Sequence, residues 1–85
     1  MYIILTYDVN VKHNRRVAKV CEAYLHRTQR SVFEGRLTER NLKTLMNQLR
    51  PLIDCSSESI QIYALENPSA MKKLAVGSVA DPDFV

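Results

Sequence analysis

The chain opens on a run of apolar and aromatic positions, Tyr2-Ile3-Ile4-Leu5-Thr6-Tyr7, that stops at Asp8-Val9-Asn10. A short continuous run of β-branched and aromatic residues predicts a strand buried on both faces, hence a central strand. Alternation sets Ile3, Leu5, Tyr7 and Val9 on one side of it and Tyr2, Ile4, Thr6 and Asp8 on the other. The period then lengthens. Val17, Val20, Cys21, Tyr24 and Leu25 recur at helical intervals and predict an amphipathic helix over about residues 13–27, with His26 near its C-terminus. Residues 29–37 read as extended, either one kinked strand or two short ones, with Gly35 as a bulge or tight bend. Thr38 suits an N-cap, and Glu39 suits the positive end of the helix dipole. Leu42, Leu45, Met46 and Leu49 form the second helical stripe, which Pro51 ends near Arg50. Cys55-Ser56-Ser57 reads as loop and residues 59–65 alternate as a strand. Asn67-Pro68-Ser69 signals a turn, and residues 73–76 a further short strand.

The order β-α-β(β)-α-β predicts an α+β fold of the ferredoxin-like βαββαβ type, an antiparallel sheet with two helices on one face. It would occupy residues 1–80 as a single domain, with a short C-terminal tail at 81–85. Such a sheet leaves its other face open. Both sides of the first strand are apolar, so a second copy is the simplest cover, and we expect a homodimer formed through the sheet. Length supports this expectation. A domain of 85 residues buries only about 60–65% of its unfolded surface and gains from self-association.

Composition narrows the class. Charged residues make up 25% and hydrophobic residues 46%, as in ordinary globular proteins. Two cysteines, Cys21 and Cys55, are too few for a disulfide scaffold and lack zinc-ligand spacing, which suits a reducing, cytoplasmic setting. No secretory signal and no apolar run near the roughly 20 residues of a membrane span is present, so no membrane partner is expected. The net charge of +3 is unevenly placed. Residues 1–36 carry seven basic and three acidic groups, and residues 37–85 carry five basic and six acidic. The whole excess lies in the first half and points toward a polyanion.

Asp8 is the candidate for chemistry, a carboxylate closing an apolar central strand. It could instead cap the following turn or helix. One carboxylate is sparse for Mg²⁺, which takes one or two carboxylates plus waters and phosphate oxygens. A two-fold axis near the strand end would bring two Asp8 side chains to one hydrated ion, which could polarise a phosphodiester. His13, five residues on, could serve the same region as a proton carrier or be exposed and idle. Arg15, Arg16, Lys19, Arg27, Arg30 and Arg36 make up the basic half, either a solvated face or a phosphate-binding band. Phe33 could stack on a base or belong to the core or an interface.

Three stretches resemble the Cas-two family of small CRISPR-associated adaptation proteins. They are the strand ending in Tyr7-Asp8-Val9, the basic Asn14-Arg15-Arg16-Val17-Ala18-Lys19-Val20, and Gln29-Arg30-Ser31-Val32-Phe33-Glu34-Gly35, which is similar to a Q-x-S-V-F-E-G signature. The resemblance implies a ferredoxin-like homodimer with Asp8 of both protomers as the magnesium-binding, catalytic residue. It implies endonuclease activity on RNA or DNA, and a role in spacer acquisition as a bridge between two dimers of the Cas-one integrase. It implies that Arg15, Arg16, Arg27 and Arg30 contact the nucleic-acid backbone and that Phe33 lies near the interface or the site; Tyr7, Asn10, His13 and Ser31 are further residues expected beside the site. The tail, with Pro82 in it, departs from members that end in a further strand pairing with the partner's sheet. Two other readings stay open, a non-catalytic structural DNA-binding subunit and a toxin-like ribonuclease of the same fold.

Overall fold

The computed structural model describes residues 1–67 together with residues 69, 72, 74 and 76. Strand β1 (Tyr2–Asp8) leads into helix α1 (Val11–Glu22), then strands β2 (His26–Gln29) and β3 (Val32–Arg36). Helix α2 (Glu39–Leu49) runs into a 3₁₀ turn (Arg50–Leu52), and strand β4 (Ser59–Leu65) follows. The sheet order is β2-β3-β1-β4 with every neighbouring pair antiparallel, the ferredoxin-like arrangement. β1 is flanked on both sides, as its apolar run predicts.

Burial follows the strand alternation. Ile3, Leu5 and Tyr7 are buried, whereas Tyr2, Ile4 and Thr6 are half-buried on the opposite face and Asp8 is exposed. The buried row meets Phe33 of β3 together with Val17, Cys21, Leu45 and Leu49 of the helices. The open face is less bare than its apolar sequence suggests, because the Tyr2 hydroxyl donates to Glu34 Oε1 at 3.0 Å. Among the described residues, no helix is long and apolar enough to cross a membrane.

Three expectations need correction: the end of α1, the place of His26 and the role of Gly35. α1 ends at Glu22, not near residue 27. The Leu25 N–H donates to the Cys21 carbonyl at 2.8 Å, which closes a turn that still buries Leu25 and so prolongs the apolar period past the helix. His26 and Arg27 therefore stand on β2, and His26 is not at a helix end. The stretch 29–37 resolves into the end of one strand, a turn at Arg30-Ser31 and a second strand. Gly35 is not the bulge. The irregularity lies between Arg27 and Gln29, and Gly35 pairs regularly with Ile3, where a Cβ would lie 3.2 Å from Leu25 Cδ2. Packing against Leu25 leaves a side chain here little room.

The remaining boundaries match. Thr38 Oγ1 accepts the Asn41 N–H at 3.1 Å as an N-cap, and the helix gives way at Arg50-Pro51. Cys55-Ser56-Ser57 is a turn, and β4 covers the expected residues. Asn67 Oδ1 accepts the Ser69 N–H at 3.1 Å, while Pro68, much of 73–76, and the tail lie outside the described residues.

Candidate nucleic-acid and metal site

Antiparallel pairing on both sides of β1 decides what surrounds Asp8. Where β1 ends, β3 and β4 begin. The β2–β3 turn with Arg30 and Ser31 therefore lies on one side of Asp8, and the loop before Ser59 on the other. Ahead, Asn10 caps α1 by accepting the Lys12 N–H at 3.1 Å, so the first turn of the helix starts beside the strand end. No residue spacing in the sequence announces this convergence of three segments.

Asp8 is exposed and lines two clefts at once. The first, of about 380 Å³, carries Arg15, Arg27 and Arg30 with Asn14 and Ser31. Its walls are built from the core. The Tyr7 N–H donates to the Ser31 carbonyl at 3.1 Å, and the Tyr7 hydroxyl donates to the Arg30 carbonyl at 3.4 Å, fixing the turn. The Tyr7 and Phe33 rings stack at 6.2 Å, and the Arg27 guanidinium lies 5.3 Å over the Phe33 ring. Such a cation–π contact contributes about 0.5–1 kcal/mol at exposed sites. Glu22 approaches Arg27 Nη1 only to 3.9 Å and leaves most of its donors to solvent. Arg16 and Lys19 are exposed on α1 but line neither cleft, and Arg36 is exposed at the far end of β3.

Phe33 is fully buried, so its ring cannot stack on a base; it supports Arg27 from beneath. The alternation explains this. Phe33 pairs with Leu5 and shares its helix-covered face.

The second cleft, of about 400 Å³, joins Asp8 to Asn10, Lys12, His13, Asp54 and Glu58. His13 is not the exposed side chain that one reading of the sequence expected. Its side chain is 17% accessible, and Nδ1 lies 2.8 Å from both Glu58 oxygens. Glu58 also accepts the Asp54 N–H at 2.7 Å and the Asn10 N–H. These donors, the Asp54 amide first, hold its carboxyl below the usual carboxylate range despite its burial. Asp54 is lowered as well, chiefly by the Ser56 hydroxyl and amide. Sequence reading missed Glu58. The available signal was its position just before the last strand, which is antiparallel to β1 and so begins beside Asp8.

The donor chemistry bears on the metal. An exposed carboxylate with hard oxygen donors suits Mg²⁺. Among the described residues no group of three or more His, Cys, Asp or Glu side chains could hold a metal, so one protomer offers no closed cage. Asp8 would supply one oxygen donor to a largely hydrated ion, with waters, phosphate oxygens or a second Asp8 needed to complete it.

The chain is thus a small α+β protein whose central strand ends in an exposed carboxylate beside an arginine-lined cleft. The family model for CRISPR associated protein Cas2 matches residues 1–73, and the chain belongs to that family. It is 36% identical over 72 residues to the CRISPR-associated endoribonuclease Cas2 of Frankia alni, covering 85% of this chain and 83% of that protein. It is 37% identical to the CRISPR-associated endonuclease Cas2 of Halalkalibacterium halodurans, covering 99% and 94%. A solved crystal structure of a Cas2 superposes with a TM-score of 0.85 at 36% identity, covering 100% of this chain and 93% of that one.

Proposed function

We propose that the protein is a magnesium-dependent endonuclease acting on RNA or DNA as a homodimer, with Asp8 of both protomers at the reacting phosphate. The observation that carries this reading is the seat of Asp8 on the rim shared by the arginine cleft and the His13–Glu58 cleft. Arg15, Arg27 and Arg30 bind the phosphates on either side of the scissile bond, and Arg16 and Lys19 extend the basic band along α1. Tyr7 and Ser31 hold the turn that aims Arg30. When bound, Mg²⁺ lowers the pKa of water and stabilises charge on the phosphoryl oxygens. The open sheet face, with Ile4, Leu65 and the 54% exposed Tyr63, is the surface that a second copy covers. The resemblance to the Cas-two family further supports a role in spacer acquisition in the cytoplasm, with the dimer bridging Cas-one integrase dimers on incoming DNA. The names of the two relatives, one an endoribonuclease and one an endonuclease, support phosphodiester cleavage.

The sparse donor set favours a second reading, a DNA-binding subunit without catalysis. Cleavage of labelled RNA and duplex DNA by wild type and Asp8→Asn, with Mg²⁺ or a chelator, separates the two. The nuclease reading expects cleavage that Asp8→Asn or chelation abolishes while binding and dimerisation persist. Cleavage that survives both sinks it.

A further inference from the structure

The His13–Glu58 pair has no assigned task. Three observations bear on what it does. The pair is largely enclosed, with side chains 17% and 6% accessible. Glu58 is tied down by backbone donors from both flanking segments, Asn10 before α1 and Asp54 in the loop before β4. An ionised carboxylate only accepts, so the Nδ1 that it meets carries the proton. In the neutral ring that leaves Nε2 as the lone-pair nitrogen, and Nε2 makes no hydrogen bond among the described residues. The ring lines the same cleft as Asp8. The other charged groups of that cleft are Lys12 of α1 and Asp54 of the loop.

We propose that Glu58 is a positioning residue that fixes the His13 ring with Nδ1 protonated and Nε2 presented to the Asp8 cleft, where His13 is the general base of phosphodiester hydrolysis. The assignment rests on the hydrolytic reading of the Asp8 site. In the step, a water oxygen bonds to phosphorus and its proton passes to His13 Nε2. The bond from phosphorus to the leaving nucleoside oxygen breaks, and that oxygen takes a proton from solvent. His13 then returns its proton to solvent. Glu58 keeps the ring from rotating and stabilises the transient imidazolium across the 2.8 Å contacts. A strut joining the helix start to the loop would need neither a free Nε2 nor a shared cleft with Asp8.

The test uses the full chain, with single-turnover cleavage across pH for wild type, His13→Gln, His13→Ala and Glu58→Gln. Loss of a general base costs about 10²–10⁴ in rate. His13→Gln is expected to lose kcat by that order with KM little changed, and to lose the rising limb of the pH profile. Added imidazole should partly restore His13→Ala. Glu58→Gln should lower kcat less and shift that limb. Independently of activity, ¹⁵N shifts of the wild-type ring should report the Nδ1–H tautomer, and Nε2 should move on adding a cleavage-resistant phosphorothioate oligonucleotide. These two readings carry the test even where Glu58→Gln fails to fold. Wild-type cleavage lost in Asp8→Asn but unchanged in His13→Gln overturns this inference alone. An Nε2–H tautomer, or an Nε2 indifferent to the oligonucleotide, also overturns it. Absence of wild-type cleavage overturns the hydrolytic reading and this inference with it.

Discussion

Neutralising the arginine cleft gives a prediction with a calculable size. Arg15, Arg27 and Arg30 converge beside Asp8. Each arginine that neutralises one phosphate of a duplex contributes about −0.9 to the slope of log affinity against log salt. Three per protomer, doubled in a dimer, contribute about −5 to the slope, which alone means a loss of about 10³ in affinity between roughly 50 and 200 mM salt. Arg30→Gln removes two of these six cleft contacts from the dimer, so the slope should shrink by about 1.8. Arg27→Gln should do the same, since its cation–π support and the 3.9 Å approach of Glu22 leave its charge available. Lys43, exposed on α2, is the control and should leave the slope nearly unchanged. Fluorescence anisotropy of a labelled duplex over that salt range reads the slopes. A triple Arg→Gln variant whose slope changes by less than about one would refute the assignment. So would a Lys43→Gln effect as large as that of Arg30→Gln.

Other consequences follow from the core and the loop. Phe33→Leu empties part of a fully buried site and removes the ring beneath Arg27, so it should cost about 1–2 kcal/mol and lower the thermal midpoint at fixed protein concentration; an unchanged midpoint contradicts the packing. The charge count is untouched, so its salt slope should match wild type. Burial pushes the Cys21 thiol up to about 12, whereas Cys55 is exposed. Iodoacetamide should therefore label Cys55 alone in the folded protein and both cysteines after unfolding, as mass spectrometry would show. Glu58 and Asp54 both titrate below their ordinary values of 4.5 and 3.8. Their stabilising contribution is fully present above those values and is lost as pH falls through the lower, folded ones. Denaturant midpoints should thus decline on the acid side, and Glu58→Gln should flatten that decline.

The fold was legible wherever a local period coincided with a layer of the structure. β1, β4 and the capped start of α2 follow from alternation and from Thr38. α1 was overextended because Leu25, buried after a turn, keeps the helical period with Cys21. The β2–β3 hairpin was ambiguous because its bulge lies at Thr28, whereas the residue that drew attention was Gly35. Among the site residues, Asp8 and the arginines stood out by type. The partition of the arginines did not, because Arg27 and Arg30 approach Arg15 only through the hairpin, while Arg16, adjacent in sequence to Arg15, lines neither cleft. Glu58 joins His13 across 45 positions, a pairing that only the antiparallel β1–β4 register brings together.

The account turns on two Asp8 carboxylates serving one reacting phosphate. Mixing wild type with Asp8→Asn, letting protomers exchange, and measuring cleavage at constant total protein tests that requirement. If both carboxylates are needed, an equal mixture retains about one quarter of wild-type activity, the share of homodimers with both acids. Retention of about one half, in proportion to the wild-type chains present, would show that each Asp8 acts alone and would contradict the account.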